Sequence, residues 1–167
     1  MGESGTQNIC SGPKHSLCGG ERPTVFLGEF SHALDEKGRL TIPAKFREEL
    51  AGGLVITRGI DRCLSVYPRQ VWDSLAEQIT KLPLTQRSAR DFGRLMFSGA
   101  ADFIPDRQGR VLIPQGLRDY ADLDSDAIII GLYDRLEIWK PDNWTNVKAN
   151  VEADPESIAE QLQELGI

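Results

Sequence analysis

Residues 34–50 read LDEKGRLTIPAKFREEL, and residues 105–121 read PDRQGRVLIPQGLRDYA. Each stretch writes Asp-x-x-Gly-Arg, an aliphatic pair, Ile-Pro and a short basic helix. One such turn is punctuation, but two in the same setting point to a duplicated part. A shift of 71 residues aligns Phe26 with Phe97, Gly28 with Gly99, Asp35 with Asp106 and Gly38 with Gly109. It also aligns Arg39 with Arg110, Ile42 with Ile113, Pro43 with Pro114 and Arg47 with Arg118. These are 8 identities in the 22 positions from Phe26 to Arg47, against about 1–2 from average residue usage. Further along, IDRCLSVYP (60–68) answers YDRLEIWKP (133–141), and Trp72 answers Trp144. Two copies are too few for a solenoid, so the halves are expected to pair about a pseudo-twofold axis.

Working outward, each half repeats one anatomy. FLGEFSHAL (26–34) and its counterpart FSGAADFI (97–104) read as strands, with Phe26, Gly28, Phe30 and His32 on one face. The Asp-x-x-Gly turn leads into RLTI or RVLI, and a proline then opens a short helix. Phe46 with Leu50, and Leu117 with Ala121, share its buried face. Two further strands follow in each half, joined at GIDR and YDR by hairpin turns. Val71, Trp72, Leu75, Ile79 and Leu82 form an amphipathic stripe. The connector PLTQRSARDFGRLM is expected to be partly helical. In the tail, Asp154 caps a helix with Pro155 at its first position and Ile158, Leu162 and Leu165 as its apolar side. The expected division is a flexible extension at 1–24, a first repeat at 25–82, a connector at 83–95, a second repeat at 96–147 and a C-terminal helix at 148–167. The class is α+β, mainly β.

Composition bounds the function. The chain has 167 residues, 40% of them apolar, which suffices for a core. No apolar run approaches the ~18–20 residues of a membrane helix, so a soluble, cytoplasmic protein without a membrane partner is expected. Residues 1–24 lack the apolar core of a secretory signal; the Gly2–Thr6 pattern suits N-myristoylation only weakly. Cys10, Cys18 and Cys63 form no C-x-x-C pair, which fits reduced thiols, with Cys63 a small apolar filler. Net charge is −6, yet Lys37, Arg39, Lys45 and Arg47 cluster in one motif while acids gather at 119–126 and 152–164. An acidic chain can carry a basic face.

The motif has a chemical rationale. Aspartate can accept backbone N–H groups two residues on, and glycine takes the positive φ that closes the turn. Along RLTI and RVLI, Leu40, Ile42, Val111 and Ile113 point inward while Arg39, Thr41 and Arg110 point outward. A guanidinium held on a rigid strand suits bidentate contact with guanine or phosphate. Alternatively, Arg39 pairs with Asp35 or Glu36 and only holds the turn. Arg47 and Arg118 are either contacts or ordinary surface helix residues. His32 stands where the other half has Phe103, which marks a packing position. No P-loop, G-x-G-x-x-G, G-x-S-x-G or zinc-ligand spacing is present, so no enzyme, cofactor or metal is expected.

Tandem DEKGR-L-T-IPAKFR and DRQGR-V-L-IPQGLR, each following F-x-G, resemble the MraZ family of bacterial transcriptional regulators, from about Val25 to Trp144. The resemblance implies two SpoVT–AbrB-like swapped-hairpin units packed as a pseudo-twofold barrel with flanking helices. It implies ring-shaped homo-oligomers, such as an octamer, and a nucleoid-associated place in the cytoplasm. It implies sequence-specific binding to direct repeats in double-stranded promoter DNA of the division and cell-wall gene cluster, usually as a repressor. The DNA-contacting set carries over to Asp35, Gly38, Arg39, Asp106, Gly109 and Arg110. Lys37 and Arg107 join it, and Lys45, Arg47 and Arg118 flank it. Gly116 replaces Lys45 in the second copy, so unequal contributions are expected. Family members begin near the F-x-G strand, and Val25 stands where their Met would be, consistent with a GTG start there. A native mass that includes residues 1–24 would end that idea. The rival reading is a non-catalytic, oligomeric protein-interaction module using Tyr67, Trp72, Trp139 and Trp144.

Overall fold

The computed structural model describes residues 25–164. The extension at 1–24, with Gly2, Cys10 and Cys18, and the tail residue Leu165 lie outside the described residues.

The first half contains β1 (Phe26–Ala33), β2 (Arg39–Thr41), a 3-10 turn at Ala44–Phe46 running into α1 (Arg47–Leu50), β3 (Leu54–Arg58), β4 (Leu64–Pro68), α2 (Arg69–Thr80) and α3 (Arg87–Gly99). The second half contains β5 (Ala101–Phe103), β6 (Arg110–Leu112), α4 (Gln115–Tyr120), β7 (Asp126–Tyr133), β8 (Leu136–Trp139), α5 (Pro141–Ala153) and α6 (Pro155–Glu164). The expected hairpins form: β3 pairs with β4 and β7 with β8, both antiparallel.

The halves interlock through their strands. A six-stranded antiparallel sheet runs β1-β7-β8-β4-β3-β5, and β2 and β6 form a separate two-stranded sheet. The first strand of each half hydrogen-bonds to the third strand of the other: β1 to β7 and β5 to β3. Equivalent residues face each other at Leu40↔Val111 in the ribbon, and the fourth strands of the two halves, β4 and β8, pair antiparallel in the sheet, as a pseudo-twofold arrangement requires. No closed ring of strands forms among the described residues, because β1 and β5 are sheet edges.

Three layers result. Leu40, Ile42, Phe46, Val111, Ile113 and Leu117 pack from the ribbon and short helices onto one face of the sheet, meeting Phe26, Leu54, Ile56, Leu64, Ile129 and Ile138. Alternating strand residues supply the other face, where Val55 and Tyr67 meet Trp72, Ile79 and Met96 of α2 and α3. Beside them Ile130, Trp139 and the buried Cys63 meet Trp144 and Val147 of α5. Burial pushes the Cys63 thiol up to about 12, in keeping with an apolar filler.

The structure corrects the expected strand over 97–104. Helix α3 continues through Gly99, leaving only Ala101–Phe103 as strand. Phe92 and Met96, four residues apart, bury against α2 and β3, and Thr57 Oγ1 donates to the Met96 carbonyl at 2.5 Å. That packing outweighs the strand-like alternation. Leu82 lies beyond the end of α2 and is partly exposed. Residues 148–153 belong to α5; the chain breaks at Asp154, whose Oδ1 accepts the Ser157 N–H at 3.1 Å and caps α6. No helix among the described residues is long and apolar enough to cross a membrane.

Candidate nucleic-acid interface

The two turns are built on the same hydrogen bonds, and the second adds Arg110 Nη2 on Asp106 Oδ2 at 2.8 Å. In the first, the Gly38 N–H donates to the Asp35 carbonyl at 2.8 Å. Asp35 Oδ1 accepts the N–H groups of Lys37 (3.0 Å) and Arg39 (2.9 Å), and Oδ2 accepts Arg39 Nε at 2.7 Å. In the second, Gly109 N–H donates to the Asp106 carbonyl at 2.8 Å. Asp106 Oδ1 accepts Gln108 N–H (2.9 Å) and Arg110 N–H (3.0 Å), and Oδ2 accepts Arg110 Nε at 2.8 Å. Gly38 and Gly109 have φ of 76° and 73°, which a residue with a Cβ adopts only at a cost.

These bonds set the carboxylates' acidity. The backbone N–H of Arg39, then its guanidinium and the Lys37 N–H, lower Asp35 below the usual carboxylate range. The Arg110 guanidinium, then its backbone N–H and that of Gln108, hold Asp106 down to about 2. Asp35 and Asp106 therefore stay charged and keep hold of their arginines. Both guanidiniums remain accessible, the side chains of Arg39 and Arg110 being 32% and 27% exposed.

The fold brings the two motifs together. The β2–β6 ribbon pairs Arg39 with Leu112 and Thr41 with Arg110. Its inner face is Leu40 and Val111, both buried, and its outer face is Arg39, Thr41, Arg110 and Leu112. Lys37 and Arg107 stand exposed at the turn tips, with no ion pair among the described residues.

The other candidates are engaged within the protein. Arg47 Nε donates to the Ile42 carbonyl at 3.0 Å and Arg118 Nε to the Ile113 carbonyl at 3.1 Å, which lays both side chains beside the glycines of the turns. Lys45 Nζ donates to the Leu27 carbonyl at 3.0 Å and lies 5.9 and 5.6 Å from the Phe30 and Phe46 ring centres. Those contacts draw it onto β1. His32 is half-buried on β1, and burial, then the Arg47 charge, lower its pKa. Leu112 takes the outward position that Thr41 holds in the first copy, as the sequence alternation expected. Its 52% exposure follows from the same two-residue alternation that aimed Arg110 outward. Among the described residues no group of His, Cys, Asp and Glu could hold a metal ion.

A family model described as "MraZ protein, putative antitoxin-like" matches residues 25–95 and again 96–165. A protein of Roseiflexus castenholzii named "Transcriptional regulator MraZ" is 51% identical over 141 residues, covering 84% of this chain and 99% of the relative. One of the same name from Syntrophomonas wolfei subsp. wolfei is 49% identical over 143 residues, covering 86% and 100%. Another from Clostridium tetani is 47% identical over 144 residues, covering 86% and 100%.

Proposed function

The chain belongs to the MraZ family, and from that premise we propose that it is a sequence-specific DNA-binding transcriptional regulator and not an enzyme. The observation that carries the reading is the pairing of both Asp-x-x-Gly-Arg motifs on one outward ribbon. A major groove about 12 Å wide admits a two-stranded β-ribbon. Arg39 and Arg110 are diagonal neighbours on it, about 7–8 Å apart, or roughly two base-pair steps. Each aspartate fixes its arginine before DNA arrives, so less side-chain freedom is lost on binding. Lys37 and Arg107 supply phosphate contacts at the turn tips.

The finer reading is repression from direct repeats ahead of the division and cell-wall gene cluster, by a ring-shaped homo-oligomer in the nucleoid. One ribbon offers few contacts, whereas a ring gains avidity over repeats about one helical turn apart. Self-association is supported by an apolar groove of about 380 Å³ between α2 and α3, lined by Ile79, Leu82, Leu84 and Phe97 and rimmed by Arg90 and Arg94. The α6 helix of a second copy suits it, because Ile158 and Leu162 are partly exposed there beside Glu156 and Glu160.

The test is a mobility shift on DNA upstream of the chain's own gene, with sedimentation in parallel. Arg39→Ala should cost about 1–3 kcal/mol of specific binding and leave assembly intact. A double Arg39→Ala, Arg110→Ala protein that shifts this DNA normally would refute the site. A wild type that sediments as a monomer would refute the ring.

A further inference from the structure

The two turns are joined by a crossed set of bonds that neither repeat makes alone. The Ile42 N–H donates to the carbonyl of Gly109, in the other repeat, at 2.8 Å. The Ile42 carbonyl accepts Arg47 Nε at 3.0 Å. The same Arg47 side chain lies against Gly109, where a Cβ would collide with its Nε and Cδ. The mirror arrangement holds on the other side. Ile113 N–H donates to the Gly38 carbonyl at 3.0 Å, and the Ile113 carbonyl accepts Arg118 Nε at 3.1 Å. A Cβ on Gly38 would stand 2.6 Å from Arg118 Cζ and 2.8 Å from its Nε. The three atoms nearest that position all belong to Arg118, none to Arg47.

We propose that Arg47 and Arg118 are positioning residues that act crosswise, each carried by one repeat and bracing the reading turn of the other. This rests on the DNA-binding reading above. A planar guanidinium suits the task, because its Nε–H fixes the fork on a carbonyl while its flat face covers a glycine without a Cβ between them. Arg118 is further anchored by Nη2 donating to Gln115 Oε1 at 2.6 Å. The arginine is retained in both copies, whereas Lys45, two residues earlier and bound elsewhere, becomes Gly116. Bracing each turn from the opposite repeat makes Arg39 and Arg110 one rigid pair with a fixed separation.

The crossing is testable without DNA. Arg47→Lys keeps the charge but removes the fork. Carboxyl-carbon NMR of the free protein should then show the Asp106 midpoint rising from about 2 toward the ordinary carboxylate range, with Asp35 unmoved. Arg118→Lys should move Asp35 and leave Asp106 in place. Movement of the turn on the same repeat, of both turns, or of neither would overturn the proposal, as would loss of fold in either variant by circular dichroism. On DNA from upstream of the chain's own gene, Arg47→Met should bind about tenfold more weakly with an unchanged salt slope. A slope lower by about one charge would make Arg47 a phosphate contact instead. Crossed titration in the two lysine variants together with a wild type that fails to bind this DNA would sink the regulator reading alone and leave the bracing intact.

Discussion

At the residue scale, the informative group is the carboxylate. Asp35 and Asp106 each accept two backbone N–H groups and one guanidinium Nε. The sequence left open whether Arg39 serves the turn or faces outward. It pairs with Asp35 and remains accessible, because an arginine has five N–H donors and the pairing engages only a part of them. The linkage to pH follows from the depressed acidity. A carboxyl lowered on folding contributes stability above its ordinary midpoint, and the contribution is lost as pH falls through the folded value. The Arg110 Nε–H resonance should therefore keep its bonded position below the ordinary midpoint of ~3.9 and lose it only as pH approaches about 2. A transition at the ordinary midpoint would contradict the pairing.

At the scale of elements, β2 and β6 are only three residues each, yet they carry the proposed contact surface. Such short strands hold position because their inner residues are in the core and their ends are tied into glycine turns. Gly38→Ala tests this directly. It combines a φ of 76° with displacement of Arg118, and should cost about 1–3 kcal/mol in urea unfolding; an unchanged midpoint would show that the turn relaxes freely. The turn chemistry was legible in Asp-x-x-Gly, since it depends on neighbouring residues alone. The fate of Phe97 was not. It aligns with Phe26, but Phe26 is buried in β1 whereas Phe97 rides on α3, edge-on to Trp72 at 6.0 Å. Repeat identity predicts homology of position, and local packing then chooses between helix and strand.

At the scale of the whole molecule, two repeats make one body because each first strand joins the other repeat's sheet. Phe46 stands at this junction. It is 1% exposed and meets Phe26 and Phe30 of β1 edge-on, at 5.1 and 5.2 Å. Phe46→Ala should therefore cost about 3–5 kcal/mol in chemical denaturation, loosening β1 from the core that β7 helps to build. A loss under about 1 kcal/mol would place the junction elsewhere. The acidic net charge is compatible with a DNA partner at this scale, because α6 carries Glu156 and Glu160 far along the chain from both Asp-x-x-Gly-Arg motifs.

The amino-acid sequence by itself determined the duplication, the Asp-x-x-Gly turns, the two hairpins and the inward set Leu40, Ile42, Val111 and Ile113. Each of these follows from residues within a few positions of one another, through turn chemistry or the two-residue alternation of a strand. Tertiary structure alone decided that the turns lie side by side, that Arg47 and Arg118 reach across to the opposite glycines, and that Lys45 folds onto β1. Those choices depend on which backbone groups meet between residues far apart along the chain, as Ile42 meets Gly109 and Ile113 meets Gly38. Every residue but proline offers the same N–H and C=O, so local sequence does not name the partner, and the packed core selects it.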